Sequence, residues 1–150
     1  MYRRNEKLLF KGLEPARKTE MIEELKNSVA PDDVVAGILA SLTVEEIPLD
    51  VKRIHTAVYK LKQKYPEMLK PFVFTEKDYY PYSVLLERVL FRLQNADLIN
   101  TINPDFKVCI ISNSSKNHIK KYIVPLFKEE DREKLIQMGK AFQNYVSPTT

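Results

Sequence analysis

Arg88, Arg92 and Asn95 stand at i, i+4 and i+7 in the run VLLERVLFRLQN, so one stripe of a helix would carry two guanidinium groups and a carboxamide. Those are the groups that hydrogen-bond guanine and adenine edges in the major groove of duplex DNA. Phosphate contacts would come from Lys52 and Arg53 on a preceding helix and from Lys107, Lys116 and Lys120 further on. Asn113, Ser114 and Ser115, at a helix start, would add anion-binding donors. Glu87 and Asp97 oppose this chemistry, because they offset both arginines and repel phosphate. The lysines also have an ordinary reading, as a solvated helix face and a charge-blunted sheet edge.

Phe91 falls on the same side as Val84 and Arg88, away from the Leu85, Val89 and Leu93 seam. Such a ring is either covered by N-terminal helices or is an exposed protein contact. Tyr79 and Tyr80 precede Pro81 just before this helix and join Phe91 as candidate partner contacts. With Tyr82 they would stack bases or pack the entry of the helix onto the core.

Other chemistry is poorly represented. His55 and His118 are the only histidines and Cys109 the only cysteine, with no HExxH, no cysteine pair and no glycine-rich phosphate loop. His55 borders an apolar seam and reads as a packed side chain. Cys109 has no base near it in sequence. The carboxylates cluster at helix starts, where the helix dipole accounts for them. No enzyme activity, metal or cofactor is expected.

The elements that must position these groups follow from length and punctuation. A chain of 150 residues with 44% apolar and 29% charged residues can bury a core without disulfide or metal. Net charge is +4, spread unevenly: residues 31–49 carry four acids and no bases, residues 50–70 six bases and two acids. A lone cysteine in an apolar run implies a reducing, cytoplasmic setting. No targeting segment is visible, and the longest apolar run, 34–42, is too short to span a bilayer.

Three glycines against nine prolines favour helices over a sandwich. Helices are expected over 14–29, from Pro31, over 51–65 behind an Asp50 cap, over 84–97 behind a Ser83 cap, from Asn113 to near Pro125, and over 128–145. The seam of the 51–65 helix is Val51, Ile54, Val58, Leu61 and Tyr65. A short strand is expected over 43–47, an irregular stretch over 71–82 with Phe72 and Phe74 spaced as in a strand, and a hairpin from 98–102 and 106–111 around Asn103 and Pro104.

Strand, helix, loop, helix, hairpin is the element order of a winged helix. The stretch YPYSVLLERVLFRLQNADLI also resembles the GPYS…L…L…L…GLI segment of winged-helix-like bacterial and phage regulators, including the Panacea antitoxin domain. The likeness covers 50–111 at most. Tyr80 stands where that pattern has glycine, and Asn95, Ala96 and Asp97 where it has a glycine-containing turn. It implies a regulatory or toxin-neutralising partner role and carries over no site residue.

The expected fold is therefore mainly α with a small β-hairpin: a winged helix-turn-helix-like core over 50–111, an N-terminal helical arm over 1–49 and C-terminal helices over 112–150. Two functions fit it. One is a DNA-binding transcriptional regulator. The other is a protein-interaction module on the same scaffold, antitoxin-like or a dimeric adaptor, whose terminal helices form a homodimer or grip a partner. No membrane association is expected.

Overall fold

A side-chain cap or a proline opens most of the described helices. The computed structural model describes residues 30–77, 79–104 and 107–147; the helix expected over 14–29 lies outside them. Pro31 opens α1 (Pro31–Ala40), with Asp32 and Asp33 in its first turn. Asp50 caps α2 (Val51–Lys64) by accepting the Arg53 N–H at 3.2 Å. Ser83 caps α3 (Val84–Asn95) through the Leu86 N–H at 3.2 Å. Ser112 caps α4 (Asn113–Tyr122) through the Ser115 N–H at 3.1 Å. A 3₁₀ turn over Val124–Leu126 contains Pro125, and α5 (Glu129–Val146) follows.

The molecule is mainly helical with small antiparallel sheet. In one sheet, β1 (Glu46–Pro48) pairs with β4 (Val108–Ile110), Ile47 opposite Cys109. The other edge of β4 meets residue 100 alone: Asn100 and Ile110 exchange both backbone hydrogen bonds, at 2.9 and 2.8 Å. Among the described residues, the hairpin expected over 98–111 is thus reduced to one bridge, and the main partner of β4 is the distant β1. The reason lies in Asn103. Its carboxamide donates to the carbonyls of Thr101 and Val108 and accepts the Lys107 N–H, filling backbone sites that a longer ladder would use. The strand expected over 43–47 is displaced to Glu46–Pro48.

A second hairpin occupies part of the stretch read as irregular. β2 (Thr75–Lys77) and β3 (Tyr80–Tyr82) pair with Thr75 opposite Tyr82 and Lys77 opposite Tyr80.

α1 is buried along Val34 to Ala40 and packs on α3, α4 and α5. α1 and α5 approach closely where glycines face the crossing. A Cβ on Gly139 would stand 2.5 Å from Ser41 Cβ and 3.0 Å from the Ile38 carbonyl oxygen. One hydrophobic core draws on α1, α2, α3 and α5 together with Ile47, Cys109 and Ile111. From α3 it takes Leu86, Val89 and Leu93, each worth about 1.5–3 kcal/mol if fully transferred from water. Val51, expected on the α2 seam, is exposed; His55 and Ala57 are buried instead. Among the described residues, no helix is long and apolar enough to cross a membrane.

Candidate functional site

Burial of the α3 seam leaves a definite outward stripe. Val84, Arg88, Phe91 and Asn95 are all exposed, at i, i+4, i+7 and i+11. Val84 is 51% and Phe91 63% exposed, so the two largest apolar groups on the stripe face solvent. Glu87 is exposed beside them.

Arg92 does not join that stripe as an open cation. Its Nε and Nη2 donate to the two carboxylate oxygens of Asp32 at 2.7 and 2.8 Å, a two-pronged pair joining α3 to the first turn of α1. The Arg88, Arg92 and Asn95 trio expected from spacing is therefore divided: two members face out and the third holds α1. Asp33, beside Asp32, has its carboxyl pushed up by burial and by the Asp32 charge.

The phosphate-contact set is divided in the same way. Lys116 is the clearest correction. It is buried, and its Nζ donates to the carbonyls of Leu42 at 3.0 Å and Val44 at 2.6 Å, closing the chain as it leaves α1. Burial pushes its ammonium below the ordinary lysine range, with Glu45 opposing that shift and Lys120 adding to it. Arg53 lies 3.5 Å from its own cap residue Asp50. Lys52, Lys107 and Lys120 are exposed.

The α4 start, read as an anion site, already has internal partners. The Asn113 N–H donates to Glu45 Oε1 at 3.3 Å, and the Ser115 N–H to Ser112 Oγ. Next to it, Asn95 lines an open groove of about 520 Å³ with Gln94, Asp97, Asn100 and Ser115. Asp97 sits in the left-handed region at φ 61°, and the Leu98 N–H reaches the Leu93 carbonyl at 3.0 Å, so an aspartate performs the helix-ending turn usually given to glycine.

The tyrosine cluster also separates by position. Tyr82 is buried and stacks on the buried His55 at 4.5 Å with ring planes 8° apart. His55 Nδ1 accepts the Ser83 N–H at 3.0 Å, which keeps the ring proton on Nε2. Burial, and secondarily Lys77, lower its pKa to about 4. Tyr79, in contrast, is 95% exposed with φ 70°. Together with Tyr59, Phe74, Tyr80 and Pro81 it lines a groove of about 300 Å³; Tyr79 and Tyr80 were expected as partner contacts, and Tyr59 and Phe74 were not. The signal available was the density of aromatics over 72–82.

Burial raises the Cys109 thiol to about 11, so it stays protonated near neutrality. No cluster of metal-ligating residues occurs among the described residues. Comparison of the chain with protein-family models, with curated proteins and with solved structures finds no match in any of the three.

Proposed function

We propose that the chain is a winged-helix-type protein-interaction module whose α3 face binds another protein. Support for the scaffold comes from order and pairing. α1, β1, α2, α3, the Asn100 segment and β4 come in that order, with the β2–β3 hairpin inserted between α2 and α3, and β4 lies between β1 and Asn100. The observation that carries the functional reading is the state of the α3 stripe. Asp32 takes both prongs of Arg92 while Val84 and Phe91 remain in water. A base-reading surface needs arginines directed outward and a cationic field around them. A protein-binding surface needs an aromatic anchor with a polar surround, which is what Phe91 with Arg88, Glu87 and Asn95 supplies.

Duplex-DNA binding is the second reading. It draws on the exposed Arg88, Lys52, Lys107 and Lys120 in a chain of net charge +4. Random duplex DNA titrated at several salt concentrations separates the two. Absence of binding even at low salt supports the protein-contact reading. Tight binding with a steep salt slope, weakened by Arg88→Ala, would replace it with the DNA reading. Sedimentation velocity then tests a second copy as the partner: a dimer that Phe91→Arg converts to monomer would identify the α3 face as a homodimer contact.

A further inference from the structure

The β2–β3 hairpin leads directly into α3 and carries features that the α3 stripe does not use. β3 packs against α2, so the open edge of this two-stranded sheet belongs to β2, whose residues Thr75, Glu76 and Lys77 are all exposed. An unpaired, exposed strand edge is a template for another strand.

The hairpin and α2 together form the groove of about 300 Å³, lined by Glu76 and Thr75 of β2, Tyr80 and Pro81 of β3, Tyr59 of α2, and Phe74 and Tyr79. Tyr59 and Phe74 meet edge to face at 5.4 Å, which sets two walls at a steep angle. Among the described residues, the lining has one carboxylate and no basic residue, although the chain is basic overall. Aromatic faces with a nearby carboxylate complement a cation. The same hairpin already displays this chemistry: Lys77 Nζ lies 4.3 Å from the ring centroid of Tyr82, whose ring is stacked on His55.

Tyr79 adds an independent argument. The Lys77–Tyr80 pairing leaves a two-residue connection, where glycine or asparagine is favoured at a left-handed position. A tyrosine holds that position at φ 70° while burying almost nothing. Residues kept in strained backbone regions cluster at functional sites.

We propose that an extended peptide of a partner protein adds to the open edge of β2 and lays a Lys or Arg side chain against Tyr59, Phe74, Tyr79 and Tyr80, with Glu76 as the counter-charge. Backbone pairing to β2 supplies affinity, and the groove supplies the preference for a basic side chain.

The test is fluorescence anisotropy of labelled, end-capped peptides Val-Thr-X-Thr-Val against the full chain, with X as Arg, Lys, Gln or Glu. The Arg and Lys peptides should bind roughly tenfold tighter than the Gln peptide, and Glu76→Gln should remove most of that preference. Tyr79→Gly should weaken the Arg peptide about fivefold while its thermal midpoint stays level or rises, since glycine relieves the backbone. Phe91→Ala should leave peptide affinity unchanged, separating this site from the α3 face. Absence of saturable binding, equal binding of Arg and Gln peptides, or undiminished binding by a folded Tyr79→Gly would each overturn the proposal.

Discussion

His55 on α2 and Ser83 at the start of α3 are joined by a buried hydrogen bond, with the Ser83 N–H donating to His55 Nδ1 at 3.0 Å. Ser83 in turn accepts the Leu86 N–H, so the neutral imidazole supports the residue that caps the outward-facing helix. In the folded chain the ring resists protonation until about pH 4, whereas the ordinary value is 6.5. Between those two values the unfolded chain binds the extra proton. Stability from this site is therefore complete above about 6.5 and falls as pH drops toward about 4, by about 3 kcal/mol in total. Urea unfolding at pH 7.5, 5.5 and 4 should show this loss, and His55→Gln should reduce the slope across the same interval.

Lys116 and Lys120 lie one helical turn apart but differ in what surrounds them. Lys116 bridges two carbonyls from a buried position; Lys120 is exposed. Lys116→Met would leave the Leu42 and Val44 carbonyls without their charged donor and should cost about 1–3 kcal/mol. Lys120→Met should stay within about 0.5 kcal/mol of the parent. Denaturant midpoints of the pair check the contrast.

Several helix starts were legible because each is written in one local residue. Asp50 and Ser83 each accept from a backbone N–H three residues on, and Pro31 opens α1; Ser112, which caps the helix expected from Asn113, was not read as a cap. The long-range contacts were not legible. The Lys116–Leu42 and Arg92–Asp32 bonds span 74 and 60 residues, and no local pattern marks either as different from a surface cation. Two departures share a cause in turn chemistry. The β2–β3 hairpin has Tyr79 at its left-handed position instead of glycine, so the usual turn signal was missing. The hairpin over 98–111 had its turn signal, but Asn103 took the backbone partners that would have lengthened it. The α3 stripe was visible as a pattern of types; what lay over Arg92 was not.

Gly139 and Gly37 should respond unequally to alanine. The new methyl group at 139 would meet Ser41 Cβ and the Ile38 carbonyl, which are part of a buried helix end and cannot withdraw independently. At 37 it would meet the Leu135 δ-methyl groups at 2.8 and 3.1 Å, the movable end of a side chain. Gly139→Ala should cost about 1–3 kcal/mol by overpacking, and Gly37→Ala less. Thermal midpoints of the two variants test the order.

The Arg92–Asp32 pair can be tested without knowing the partner. Asp32→Asn removes one acid and weakens the two-pronged pair with Arg92; Glu87→Gln changes net charge by the same amount and leaves that pair in place. Both side chains of the pair are partly in solvent, so Asp32→Asn should cost no more than about 1 kcal/mol in stability. If internal pairing is what withholds Arg92 from phosphate, Asp32→Asn should elute from heparin at higher salt than Glu87→Gln. Equal elution would mean that net charge alone governs retention and that the ion pair does not mask a phosphate contact. Phe91→Ala, removing an exposed ring, should shift neither heparin elution nor stability by more than about 0.5 kcal/mol. Its effect should appear only against a protein partner, because the ring's contribution there is apolar contact area.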